Sequence, residues 1–246
     1  MEQFVLAKYY MTLNVYRHRV RLITDQMIVR AICLGIEVDE ISELRELYSY
    51  SGDTSFFENY KKWDDARLLL RFSEGSFASS ACGLLFRRLE LRHLHKLVFS
   101  EKAKSFGDSQ TAEKLLAIGK PENAALRRSL EAELAPIISA HLGCECHAHS
   151  VILHGFDVKS VRTSSRNDEA GIIVAGSDRN RPFEEESTLF ASINEQYADG
   201  FVEVYAPTAW ESRSHRQRTR RSLKDPIFKA LSTGVPKAAS IKKEDL

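Results

Sequence analysis

Apolar residues recur near helical spacing at Val5, Leu13, Val20, Ile23, Met27, Ala31 and Leu34. This predicts one long helix from about Gln3 to Leu34, roughly 45 Å at 1.5 Å per residue, closed by Gly35 in a left-handed cap. A second helical pattern covers Asp39 to Tyr48, the polar stretch Ser49 to Thr54 reads as a loop, and Phe56 to Phe72 is helical again. From Phe77 to Phe99, Leu84, Leu85, Leu89, Leu91, Leu94, Leu97 and Val98 share one broad side, with Arg87, Arg88, Arg92 and Lys96 largely opposite. That pattern predicts an amphipathic helix with a basic stripe. After a break at Lys102 to Ser109, helices are expected at Ser109 to Ile118 and Glu122 to Ala135, the latter stopped near Pro136.

Beyond Gly143 the texture changes to short β-branched segments, VILHGFDV (Val151 to Val158), GIIVAG (Gly171 to Gly176) and FVEVYAP (Phe201 to Pro207). STLFASINEQY (Ser187 to Tyr197) reads as a short helix capped by Ser187. The expected fold class is mainly α with a small α+β C-terminal domain. Four stretches follow: a helical region over 1–106, a helical connector over 107–143, a small α+β domain over 144–210, and a basic, flexible tail over 211–246.

Composition narrows the function classes. With 246 residues and 43% hydrophobic content, the chain can bury a large core. Lys plus Arg at 35 against Asp plus Glu at 34 gives a net charge of +1, so any anion site must be local rather than a bulk basic field. No apolar run reaches the ~18 residues of a membrane span, and the amino terminus has no signal-like apolar region. No membrane partner and a cytoplasmic location are the expectation. Four scattered cysteines do not form a disulfide framework.

The candidate chemistry lies in four places. LAKYYMTLNVYRHRVR (Leu6 to Arg21) mixes aromatic and cationic side chains, which suits a nucleotide, and equally suits a helix buried in an oligomer interface. CECHAH offers Cys144, Cys146, His147 and His149 as zinc-type ligands, although the parity of an extended strand would spread them over both faces. Asp64 and Asp65 could pair as carboxylates or serve a helix N-terminus, the second reading being favoured by the helix dipole. Arg213 to Arg221 could touch nucleic acid, but it has no interleaved aromatics for stacking. No Gly-rich phosphate loop and no G-x-S-x-G elbow occur.

Those residues carry a resemblance. LAKYYMTLNVYRHRVR resembles the segment that follows the catalytic core in HD-domain phosphohydrolases, in the deoxynucleoside triphosphate triphosphohydrolase branch. WDDARLLLRF, RRLELRHLHK, SLEAEL, VILHGFDV and FVEVYAP continue it in order, over about Phe4 to Pro207. The resemblance implies that Lys8 grips substrate phosphates and that Tyr16 lines the sugar pocket. It implies that His18 and Arg19 approach a regulatory nucleotide, and that Arg92 and Lys96, as an i,i+4 pair, hold an activating guanine nucleotide.

The family's metal site needs a His, an adjacent His-Asp pair and a later Asp. This sequence holds eight histidines and no His-Asp dipeptide, and it begins just after the point where that half would end. The expected function is therefore a C-terminal portion or subunit of an HD-type (deoxy)nucleoside triphosphate phosphohydrolase. No cofactor is expected on this chain alone, and a divalent metal only with a complete HD site. The implied partners are GTP or a dNTP, together with a homo-oligomer or a chain carrying the missing HD half. A nucleotide-sensing adaptor and a nucleic-acid-binding module acting through the basic tail are the alternatives.

Overall fold

A computed structural model of the protein describes residues 2–11, 14–15, 18–143, 145–156, 173–174, 180–182, 187–189 and 200–244. The expected opening helix is two helices, α1 (Glu2–Met11) and α2 (Arg19–Glu37). His18 interrupts the pattern because it takes an extended conformation and its Nδ1 accepts from the Val20 amide at 3.3 Å, which makes it the N-cap of α2. Gly35 is not a cap. It lies within α2, where a Cβ would run into Leu44 and Cys82.

Next come α3 (Ser42–Tyr48), α4 (Thr54–Tyr60) and α5 (Asp65–Ser73). The predicted Phe56 to Phe72 helix is split between the last two, because α4 ends at Tyr60 and Asp64 caps a new helix, accepting from the Arg67 amide at 2.7 Å. Asp64 is thus a helix cap, with Asp65 in the first turn where acids complement the dipole.

The largest correction concerns Phe77 to Phe99. Helix α6 covers only Ala81–Glu90, and the chain then turns into strand β1 (Lys96–Lys102). Arg92 sits in the left-handed region at φ 56°, which no helix can continue through. The leucines at helical spacing misled because Leu94 and Leu97 face the same core as α6, while Val98 and Phe99 are buried on a different one.

Helix α7 (Ser109–Leu116) is capped by Asp108, whose carboxylate accepts from the Gln110 and Thr111 amides. Helix α8 (Ala124–Leu142) runs through Pro136 instead of stopping there and ends at Gly143 with φ 65°. Its Leu130, Leu134, Ala135 and Ile138 are buried, so packing on both sides of the proline holds a helix that propensity alone would end. Strands β2 (Ile152–Phe156), β3 (Ile173–Val174), β4 (Arg181–Pro182) and β5 (Phe201–Ala206) follow. The expected helix from Ser187 to Tyr197 lies mostly outside the described residues, and Ser187 donates to Glu2 at 2.7 Å.

The tail expected to be flexible is helix α9 (Arg213–Glu244). Leu223, Ile227 and Leu231 recur every fourth residue and are fully buried, with Val235 at 2% exposure, so one apolar stripe fixes the helix despite its basic start.

The described residues are mainly helical, built around a small antiparallel sheet of order β1-β5-β2, with β3 and β4 paired separately. Central β5 aligns Leu97, Tyr205 and Ile152 across the sheet in one row, and Phe99, Val204 and Leu153 in the next. Because strand side chains alternate, the first row joins the core made by α2, α3, α5 and α6. The second joins the core made by α7, α8 and α9. The molecule therefore has a helix–sheet–helix layering in which β1 comes from the 1–106 stretch and β2 and β5 from 144–210.

Candidate functional site

The period of two along FVEVYAP puts Glu203 and Tyr205 on one face of β5, and both are only 2% exposed. Glu203 Oε2 accepts from Tyr205 Oη at 2.6 Å, and Oε1 accepts from Ser100 Oγ of the neighbouring strand at 3.3 Å. Burial and the adjacent carboxylate push the Tyr205 phenol well above its ordinary value, which keeps it a neutral donor. Glu203 is the acceptor at the centre of this group.

Arg19, the first residue of α2, brings Nε to 3.9 Å from Glu203 Oε1 while its side chain remains 65% exposed. Arg220 of α9 approaches the same place. Burial lowers its guanidinium's affinity for a proton, and the charges of Arg19 and Arg216 lower it further. Glu203 and Tyr205 act in the opposite sense. Of these cations, Arg19 is the one with a measured approach to the buried carboxylate, at 3.9 Å.

The other sequence-derived positions are more dispersed. Lys8 lies in α1 with its side chain outside the description, and Tyr16 lies outside the described residues altogether. His18 is exposed, and its ring is engaged in capping α2. Arg92 and Lys96 do not share a helical face: Arg92 is exposed in the turn after α6, and half-buried Lys96 opens β1 opposite Ala206.

Cys146 is buried in the core, and its amide donates to Ser139 Oγ at 2.9 Å. His147 and His149 stack with ring centroids 5.3 Å apart, and Cys144 is outside the described residues. Among the described residues no three His, Cys, Asp or Glu side chains gather in a way that could hold a metal ion. The described residues therefore do not fit the divalent ion of an HD centre.

Two features were not foreseen from the sequence. A polar cluster lies between the layers: Arg30 pairs with buried Glu131, and His95 is 2% exposed with neither ring nitrogen hydrogen-bonded. Burial, with Arg88 and Arg30 nearby, pushes the His95 imidazole down to about 3. The second is a cavity of about 430 Å³ between α3, α4 and α5, walled by Phe56, Tyr60, Trp63, Ser51, Asn59 and Lys62. A period-two reading of FVEVYAP could have placed Glu203 beside Tyr205. No local pattern could have brought Arg19 to Glu203, since they lie near opposite ends of the chain.

Residues 1–224 match the family described as the HD associated region. No curated protein matches the chain. No helix among the described residues is long and apolar enough to cross a membrane.

Proposed function

Because the chain belongs to the HD associated region family, we propose that it is the C-terminal portion or a subunit of an HD-type (deoxy)nucleoside triphosphate phosphohydrolase. In this reading it supplies nucleotide-binding and oligomer surfaces, with GTP or a dNTP as ligand. The family gives an HD context, and the chemistry of Arg19 supports the nucleotide.

Arg19 is the observation that carries the reading. A guanidinium at the start of a helix, 3.9 Å from a buried carboxylate and 65% exposed, is open to an incoming phosphate. Its neighbour His18 fixes the start of α2 and with it the direction of Arg19. Arg92 and Lys96, in the turn and strand start that replace the expected helix, are the proposed contacts for a guanine nucleotide.

The reading assigns no hydrolysis to this chain, whose sequence has no His-Asp pair. The described residues offer no cluster to replace that pair, so no chemical step is assigned to this chain. Its role is to bind, to orient and to assemble.

The test is binding without turnover. Equilibrium dialysis of the purified chain against GTP and each dNTP, with magnesium present, is expected to retain nucleotide, and chromatography is expected to recover it intact. Failure to retain any of them, or release of tripolyphosphate or phosphate by the chain alone, would overturn the proposal.

A further inference from the structure

Asp53 caps α4 by accepting from the Phe56 amide at 2.8 Å, which fixes where that helix begins. Phe56 and Tyr60 then stand four residues apart on one face, with ring centroids 5.8 Å apart and planes 19° from parallel. Tyr50, from the loop before α4, meets Phe56 at 5.3 Å and Phe57 at 5.7 Å, edge to face. Beyond the end of α4, Trp63 stacks on fully buried Phe72 at 5.9 Å.

Phe56, Tyr60 and Trp63 are thus held by other rings, and all three line the cavity of about 430 Å³ between α3, α4 and α5. Buried Leu47 adds to the apolar lining, while Tyr60 stays 51% exposed. Rings fixed beside an open hollow leave apolar surface in water that a flat ligand would cover. The volume falls within the range of about 300–1,000 Å³ usual for small-molecule sites.

Most charged groups of the lining are already engaged within the chain. Arg71 donates to Glu43 Oε2 through Nε at 3.0 Å and Nη2 at 2.8 Å. Lys62 Nζ donates to Asn59 Oδ1 at 3.2 Å. Arg67 donates from Nη1 to the Lys62 carbonyl at 2.8 Å, and its guanidinium lies 5.5 Å from the centre of the Trp63 ring. Glu46 is exposed and has no partner among the described residues. Within the lining, Glu43 and Glu46 balance Lys62 and Arg67, so no net charge faces a ligand.

We propose that this cavity binds an uncharged planar nitrogen heterocycle, stacked on the rings of Phe56 and Tyr60, with a ring N–H donated to Glu46. Flat faces match flat faces, and a lone carboxylate at the rim selects ligands that carry N–H donors on their perimeter. The Ser49 and Ser51 hydroxyls, which both give and accept hydrogen bonds, suit the carbonyls and bare nitrogens of such a ring. A polyphosphate would bring its negative charges against Glu43 and Glu46. A purely aliphatic ligand would leave Glu46 without a donor. The cavity shares no lining residue with Arg19, Arg92 or Lys96, so the proposal does not depend on the nucleotide reading.

The experiment titrates the full chain calorimetrically with lumazine, with its dimethyl derivative blocked at both ring N–H positions, and with GTP as competitor. Wild type is compared with Glu46→Ala and Phe56→Leu, with a thermal melt of each to show that it folds. Wild type is expected to bind lumazine saturably. Blocking the two N–H groups, removing the Glu46 carboxylate or removing the Phe56 ring should each weaken binding by about tenfold or more. Glu46 is exposed, so its variant remains informative if Phe56→Leu fails to fold.

No saturable binding of lumazine at concentrations on the order of millimolar would overturn the proposal. So would equal affinity for lumazine and its dimethyl derivative, or affinity unchanged in Glu46→Ala. Displacement of lumazine by GTP would overturn the uncharged ligand class, whereas GTP binding that leaves lumazine in place would support two separate sites.

Discussion

Arg30 Nη2 donates to Glu131 Oε1, and this pair joins α2 on one face of the sheet to α8 on the other. The same oxygen accepts from the Leu153 amide at 3.1 Å, so it also occupies a backbone donor of the edge strand β2. Both side chains are largely withdrawn from solvent, at 13% and 2% exposure. One carboxylate therefore ties two helices and a sheet edge that would otherwise be open to pairing.

Removing either partner strands a buried charge. Glu131→Ala and Arg30→Ala are each expected to lower stability by about 3–5 kcal/mol, whereas a well-packed apolar replacement of both should cost less than the two single changes together. Denaturant midpoints of the two single variants and the double variant check this. Additive losses would show that the two charges do not depend on each other.

His95 should make stability fall with acid. Its folded imidazole is pushed down to about 3 by burial and the neighbouring Arg88 and Arg30 charges, against an unfolded value near 6.5. Between those values the unfolded chain binds the proton and the folded chain does not. The contribution is whole above about pH 6.5 and is lost as pH falls towards 3, at up to about 1.4 kcal/mol per pH unit. Urea unfolding of wild type and His95→Phe from pH 7 to pH 4 tests it. The variant's curve should be shallower, and parallel curves would refute the assignment.

Gly83, in the first turn of α6, has no room for a side chain. A Cβ there would collide with the carbonyl carbon and oxygen of Phe77, which belong to rigid backbone. Gly83→Ala is expected to cost at least about 2 kcal/mol, while Gly119→Ala, with nothing within 4 Å of its Cβ, should change stability little. Thermal melts of the two variants side by side measure the difference.

Much of the helical content was legible because capping and apolar period agree. Asp108 accepts from amides at the start of α7, where the pattern places a helix from Ser109, while Asp64 and Ser80 cap helices that begin inside longer predicted ones. The errors arose where two cores interrupt a single period. Leu94 and Leu97 continue the spacing of α6 only because the strand that contains Leu97 packs against the same core. Arg92 could be read as a helix position until its left-handed backbone ended the helix.

The tail misled in the other direction. Five arginines mask an apolar repeat that begins at Leu223, beyond the last of them. Of the candidate site, Arg19 was identified by resemblance, but its link to Glu203 is tertiary. It forms where the start of α2 meets β5.

The central claim is that this chain binds a nucleoside triphosphate through Arg92 and Lys96 as well as through Arg19 beside Glu203. Calorimetric titration of the full chain with GTP, beside the Arg92→Ala/Lys96→Ala variant, tests it most directly. The account predicts a saturable heat for wild type that is weakened, but not abolished, in the variant, because Arg19 remains. No binding by wild type, or identical isotherms for the two proteins, would contradict it.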